Sequence, residues 1–344
     1  MESAGSQLPP LTAVVLNFNG GTMVLECIRT VLEQEPCPSE VLCVDNGSTD
    51  GSDHQIEERF PGVRLIRLPR NVGYAGGMNR GIEAASGELI ATLNLDLTLD
   101  RSYLRLCAEA LDRDPRLGGV TGKLLRPNGM DPPIIDSTGH VVYRNRRAVD
   151  RGELEPDVGQ YDSMRGLFGV CGAAPVYRRR MLDDIVIGGE WFDEEFFAYF
   201  EDFDLSWRAQ LRGWRFGFVP EAMGTHHRGA TGGKASTFIL ACNHRNRLLV
   251  MLRNDHPISF LKALPGIAYT ELRATLHMLY LRPSALVLAW LQFFRLLPGQ
   301  LRKRRQIQSR RTVGYRELDS WFEPYDYGIR ATLRRRAARA SRAG

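Results

Sequence analysis

"TAVVLNFNGGTMVLECIRTVLEQ" (residues 12–34) joins two periodicities across an Asn-Gly turn. Residues 12–18 are a short run of β-formers, and from residue 21 the apolar side chains recur at helical spacing. The alternation then repeats: "EVLCVDN" (40–46), "SDHQIEERF" (52–60), "VRLIRLP" (63–69), "AGGMNRGIEAAS" (75–86) and "ELIATLNLD" (88–96). Strands that alternate with helices and end in loops rich in Asn, Asp and Gly predict an α/β fold, a parallel sheet covered by helices on both faces. Ligands of such sheets bind beyond the carboxyl ends of the strands.

Beyond this third of the chain the pattern changes. "GGVTGKLL", "GHVVYR" and "LFGVCGAAPVYR" read as strands with fewer helices between them, so the sheet is expected to become mixed. "PNGMDPP" (127–133) and "DRGELEPDVGQYD" (150–162) read as loops. After residue 235 three long segments, "STFILACNHRNRLLVMLRN", "FLKALPGIAYTELRATLHMLYL" and "SALVLAWLQFFRLLPGQLRKRR", each set an apolar face beside Lys and Arg. Two placements fit them: packing on the body, or lying on a membrane with Lys and Arg against anionic lipid.

The 344 residues are 43% hydrophobic and 25% charged, enough to bury a sizeable core. Charge is uneven. Residues 295–344 hold 14 Lys/Arg against 4 Asp/Glu, a local +10, so the net +5 leaves −5 for the remainder. A basic end points to an anionic partner, and its most basic stretch, residues 302–316, has Tyr315 as its single aromatic, which favours lipid over nucleic acid. The six cysteines are scattered without a metal-finger spacing, as expected of reduced thiols in the cytosol. The N-terminus lacks the pattern of a signal peptide. The longest apolar run, "SALVLAWLQFF" (284–294), is about half of the ~20 residues that span a bilayer. The expected location is therefore cytoplasmic, peripheral on the inner face of the cell membrane.

Four strand ends carry polar residues: "LNFNG" (16–20), "VDNGSTDGS" (44–52), "RNVGYAGGMNRG" (70–81) and "LNLDLTLD" (93–100). Singly each is an ordinary turn, but together they fall on one sheet edge. There Asp45 can accept from a base N–H or a ribose hydroxyl, and Gly73, Gly76 and Gly77 let backbone N–H groups approach a phosphate. Asp96 ends an apolar strand, where an unpaired carboxylate is costly and a divalent cation would explain it. Farther on, "AYFEDFDLSWRAQLRGW" (198–214) gathers Glu201, Asp202 and Asp204 among aromatics at a helix start. They read either as capping acids or as a catalytic base.

The ordered series "VVLNFNG…VDNGSTDGS…NVGYAGGMNRG…LNLD…FFAYFEDFDLSWRAQLRGW…HH" resembles family 2 glycosyltransferases of the GT-A fold, and within them the bacterial rhamnosyltransferase-like branch, over residues 11–250. The resemblance implies a nucleotide-diphosphosugar donor, an inverting mechanism and a divalent cation, Mg2+ or Mn2+. By it Asn17, Asn19, Asp45, Gly73, Asn79 and Asn94 are expected at the donor, with Asp96 as the last residue of the D-x-D motif. The first position of that motif is Asn94 here, a departure that removes one carboxylate. His226 is expected as a further metal ligand, with His227 close behind.

Asp202 matches the aspartate of the "ED" motif and is the expected base, with Glu201 orienting it or the acceptor. Asp204 is expected near the acceptor or as a helix cap. Trp191 and Phe197 are expected as a wall against a sugar. Small residues around Cys171 and Gly172 leave room for a sugar ring or let a strand pack tightly. The implied sugar is L-rhamnose from dTDP-rhamnose, with a UDP-linked hexose or galactofuranose as the alternative. The acceptor is a saccharide or a polyprenyl-linked saccharide.

Other classes fit less well. A sugar nucleotidyltransferase would open with a basic Gly-rich loop, and a binding module that had lost catalysis would have eroded the acidic cluster. A processive synthase would carry Q-x-x-R-W and transmembrane helices. The expected organisation is a tail (1–10), a catalytic domain (11–235, with nucleotide-sugar half 11–117 and acceptor half 118–235), a helical membrane-associating extension (236–330) and a basic disordered tail (331–344).

Overall fold

The computed structural model describes residues 8–127, 129–228 and 236–324. The expected basic tail, and most of the expected N-terminal one, lie outside the described residues. The first half alternates as its periodicities require: β1 (Leu11–Asn17), α1 (Gly21–Leu32), β2 (Glu40–Asp45), α2 (Ser52–Arg59), β3 (Arg64–Arg67), α3 (Gly73–Ala84) and β4 (Leu89–Asn94). β5 (Leu97–Leu99), α4 (Tyr103–Arg113) and β6 (Leu117–Leu125) follow. β1 to β4 are mutually parallel, and β1 is buried along its whole length, which is why it reads as unbroken apolar sequence. The register pairs Asn17 with Asp45 and Leu16 with Asn94, so three polar strand ends share one sheet edge.

The middle of the chain holds short strands: β7 (Ile135–Ser137), β8 (His140–Tyr143), β9 (Ala148–Asp150), β10 (Gly166–Leu167) and β11 (Val176–Arg178). Then come α5 (Arg179–Asp184), α6 (Glu201–Leu211) and β12 (Arg215–His226). The main sheet runs β10-β12-β6-β11-β4-β1-β2-β3, and β11 is antiparallel to both β4 and β6, so the sheet is mixed as expected. "LFGVCGAAPVYR" is a strand only at its two ends. Its centre passes beneath α6: a Cβ on Gly169 would lie 2.5 Å from the Ser206 side chain, and one on Gly172 would lie 2.9 Å from the Asp202 carboxylate. The small residues serve a close approach to α6 and not a ladder.

The C-terminal helices are α7 (Thr237–Asn254), α8 (Pro257–Leu281), α9 (Pro283–Ser309) and α10 (Tyr315–Asp319). The chain then returns to the body, where β13 (Phe322–Glu323) pairs with β8 in a small second sheet with β9. That returning strand was not expected in a segment read as helical. Phe322 packs against Trp207 and Phe168, one layer under the acidic cluster. Among the described residues no helix is long and apolar enough to cross a membrane.

Candidate active site

A cavity of about 1080 Å3 opens beyond the carboxyl ends of β1 and β4. α6 brings Glu201 and Asp202 to one wall, and the chain reaches them through an unusual stretch. Phe197, Tyr199 and Phe200 all have φ between 65° and 72°, the left-handed region. Each such non-glycine residue costs on the order of 1–3 kcal/mol, so the surroundings must hold it. They do. The buried Asn246 amide nitrogen of α7 lies 2.9, 3.0 and 2.8 Å from the carbonyl oxygens of Phe196, Ala198 and Tyr199. From the other side Ala75 N–H donates to the Phe197 carbonyl at 3.2 Å, where the chain passes so near Gly73 (φ +81°) that a Cβ there would sit 2.3 Å from that oxygen.

Asp202 faces the cavity with both carboxylate oxygens engaged. Oδ2 accepts from Gly172 N–H and Oδ1 from Phe203 N–H, each at 2.7 Å. Glu201 beside it is buried, and its Oε2 has no hydrogen-bond partner. Burial first, then the charges of Asp202 and Asp204, push its carboxyl well above the usual carboxylate range. Of the two, Asp202 is the one positioned to accept a proton from a ligand in the cavity. His140 Nε2 stands 3.6 Å from Asp202 Oδ2 and 3.9 Å from Asp150 Oδ1.

Asp204 is two residues farther on and points the other way. It is fully buried, accepting from Arg208 Nε (2.8 Å), Arg253 Nη2 (2.8 Å) and Asn254 Nδ2 (2.7 Å). An acceptor cannot reach it, because helical geometry turns position 204 into the junction with α7. Trp191 also stands outside the cavity, half-buried against the core with its indole N–H 3.4 Å from Asp183. The aromatic wall is made instead by Phe197 and Tyr199, with Phe238 of α7 edge-on to Phe197 at 5.0 Å.

Across the cavity, Asn94 and Asp96 sit at the end of β4. His226, last residue of β12, puts Nε2 3.2 Å from Asp96 Oδ1 and Nδ1 2.8 Å from Asp136 Oδ2. Burial opposes a charge on this imidazole, but the bonds to Asp136 and Asp96 outweigh it and raise its pKa to about 9. A carboxylate next to an imidazole whose far nitrogen is held by a second carboxylate is a donor set that suits a divalent cation. His227 is exposed, with its ring Nε2 3.5 Å from Thr98 Oγ1 and its backbone N–H donating to the Asp96 carbonyl, and it does not line the cavity. Arg228 is committed to carboxylates, 2.7 Å from Asp136 and 2.8 Å from Asp150. Another grouping with metal-ligand spacing, His140, Asp150 and Cys171, surrounds Asp202. Burial, with Asp150 and Asp202 nearby, raises the Cys171 thiol well above its usual value and keeps it from acting as a thiolate.

The remaining donor-edge residues divide. Gly73, Asn94, Cys171 and Gly172 line the cavity. Asn17, Asp45 and Asn79 do not. Asn17 donates to Asp45 and Ser52, both at 2.8 Å, and Asp45 also accepts from Ser48 N–H, so the pair braces the first two loops. Asn79 clips α3 to Phe192 through both its amide oxygen and nitrogen. Asn19 accepts from Thr49 N–H at the loop surface. Lining residues that sequence reasoning missed are Asn46, Asn71, Tyr74, His140 and Asp150. Asn46 and Asn71 lay in quoted loops, whereas His140 and Asp150 come from a segment read only as strand and loop.

The model of glycosyl transferase family 2 matches residues 12–186, just over half of the chain. The chain is 29% identical over 268 residues to N-acetylglucosaminyl-diphospho-decaprenol L-rhamnosyltransferase of Mycobacterium tuberculosis, a match covering 70% of this chain and 83% of that protein. It is 23% identical over 221 residues to poly-beta-1,6-N-acetyl-D-glucosamine synthase of Staphylococcus aureus, covering 63% of this chain and half of the synthase. In fold it is similar to GalNAc-T7 with UDP, GalNAc and Mn2+ (TM-score 0.58, 14% identity, 72% of this chain and 48% of that one). It is also similar to the mannosyltransferase PcManGT of Pyrobaculum calidifontis with GDP-Man and Mn2+ (TM-score 0.53, 19% identity, 89% and 85%). The sheet is that of the GT-A fold. A matched family, a shared fold and an acid-lined cavity at the sheet's carboxyl edge agree: the chain belongs to glycosyl transferase family 2 and is a glycosyltransferase.

Proposed function

We propose that the chain is an inverting, non-processive rhamnosyltransferase that moves L-rhamnose from dTDP-rhamnose to a saccharide carried on a polyprenyl diphosphate. The observation that carries this is the opposition, across one cavity, of Asp202 held by Gly172 N–H and the Asp96–His226 pair. The sugar and the lipid-linked acceptor follow the Mycobacterium tuberculosis relative, whose name states both. A UDP-linked hexose or galactofuranose is the alternative donor.

Asp202 takes the proton of the acceptor hydroxyl as its oxygen attacks the anomeric carbon, on the face opposite the diphosphate. The bond from that carbon to the diphosphate oxygen breaks, and its electron pair leaves with the nucleotide. Asp96 and His226 would hold a divalent cation, which when bound neutralises the diphosphate; two fold neighbours carry Mn2+. Gly172 and Gly73 keep the walls thin enough for Asp202 and the aromatic loop to stand where they do. Working on a lipid-linked acceptor places the enzyme at the cytoplasmic face of the cell membrane.

The test is transfer to a polyprenyl-diphosphate-linked N-acetylglucosamine, comparing dTDP-rhamnose with UDP-glucose, UDP-galactofuranose and GDP-mannose, with Mn2+ or Mg2+ and with chelator. Product from dTDP-rhamnose alone is expected, with turnover reduced about 10²-fold or more in Asp202→Asn while dTDP affinity holds. Transfer only from another donor overturns the sugar. Wild-type turnover in the variant removes Asp202 as base.

A further inference from the structure

The tip of the α8–α9 hairpin, beyond the ion pair of Glu271 with Arg247, stands in solvent. Across residues 272–284 none is buried. Leu272, Leu276 and Leu279 stand one above another on one face of α8, each more than half exposed, with Tyr280 beside them at 85%. On α9 the same spacing recurs in Val287, Leu291 and Phe294. Single exposed leucines are ordinary, whereas a contiguous apolar ridge on two neighbouring helices marks a surface that something else covers.

Charge tells what covers it. Around the tip, residues 272–301 contain Arg273, Arg282 and Arg295 and no Asp or Glu. A second copy of the chain would bring these like charges together, while a nucleic acid would leave the leucines in water. Neither helix is apolar enough to cross a bilayer. An apolar face on a helix otherwise rich in cations fits the plane of an anionic bilayer, with leucines and aromatics about 5–10 Å below the headgroups.

The ridge also has a direction. Trp290 stacks on Phe294 and meets His244 edge-on at 6.2 Å. His244 follows Asn243, which lines the cavity together with Phe238. Exposed Phe238 and Tyr199 complete an apolar approach to the cavity mouth.

We propose that the tip of the α8–α9 hairpin is a monotopic docking surface for an anionic lipid bilayer, from which the ridge through Trp290 leads to the cavity mouth. The docking stands on the hairpin alone, and the use of the ridge by an acceptor's lipid chain rests on the function proposed above.

The test is flotation of the full chain with vesicles of equal parts phosphatidylcholine and phosphatidylglycerol, against phosphatidylcholine alone, without donor or acceptor. Co-flotation with the anionic vesicles is expected, weakening in 1 M salt, where the screening length falls to about 3 Å. The double variant Leu276→Glu/Leu291→Glu should partition about 10-fold less or weaker still, with dTDP affinity unchanged as proof of folding. Wild-type protein that stays in solution overturns the proposal, as does flotation indifferent to the double variant. A lipid-free dimer that the double variant dissociates also overturns it, by assigning the ridge to a second copy. Flotation without rhamnosyl transfer would leave the docking standing and remove only the assigned reaction.

Discussion

At the root of the helical segment Arg253, Asp204, Asp193 and Gln300 are buried, while at its tip Leu272, Leu279 and Leu291 stand in solvent. The usual assignment of polar outside and apolar inside is reversed at both places, and α9 reaches from one to the other, with Gln300 buried at its root and Leu291 exposed towards its tip. At the root, Arg253 is bonded to Asp193 and, at 2.8 Å, to Asp204, while Gln300 and Lys303 of α9 close on Asp193 and Glu195. Such a lattice fixes geometry more than it adds stability, since desolvation offsets most of the attraction. What it fixes is the loop and helix start that present Asp202. The root supports the candidate site around Asp202, and the tip is the surface proposed for docking.

The sharpest way to break this contrast is to remove one member from each end. Asp204→Ala strands Arg208 and Arg253 as buried like charges and should cost about 3–5 kcal/mol of stability in denaturant unfolding. Leu276→Ser at the tip should fall within about 0.5 kcal/mol of the parent. Equal losses would mean that the tip packs on the body after all. Next in size is Asn246→Ala, which frees three carbonyls of the strained loop without touching the cavity's acids. Its expected effect is a fall in turnover of about 10- to 100-fold, equivalent to the roughly 1–3 kcal/mol of unsatisfied groups, with donor affinity intact. An unchanged turnover would separate the root from the chemistry.

Smallest is an acid effect at the root. Burial opposes the charge on Asp193, but Arg253, Lys303 and Gln300 outweigh it and hold its carboxyl below the usual range. A depressed carboxyl contributes stability that is present above its ordinary value near 3.8 and lost as pH falls through the depressed one. The root should therefore keep its tryptophan fluorescence down to about pH 4 and lose it only below that value. Loss near neutral pH would place another group in control.

The strand–helix alternation and the shared edge of its polar strand ends were legible because both are local: a period of two or 3.6 and a turn residue. Asp96, Asp202 and His226 were legible through motif order, and all three line the cavity. Asp204 was misplaced because its partners Arg253 and Asn254 lie 49 and 50 residues away, and a charge cluster on one turn does not show which members face inward. Trp191 failed likewise, since an aromatic before an acidic cluster suits a core as well as a wall. His140 and Asp150 were missed because they reach the cavity wall, with His140 beside Asp202, only when β8 pairs with β9. Asn246 lay in "STFILACNHRNRLLVMLRN", a segment read only for the apolar face it sets beside Lys and Arg. Whether the helical end packs on the body or stands free has a divided answer: its root does the first and its tip the second.

The length of α9 has a geometric consequence. Ser284 at the tip and Gln300 at the root are separated by 16 residues, roughly 24 Å at 1.5 Å per residue. With its root in the lattice that carries Asp202 and its tip on a surface, as proposed above, the helix would act as a ruler. It would set one height for the proposed base above that surface, so that acceptors would be sorted by how far their reactive hydroxyl rises from its anchor as well as by their chemistry.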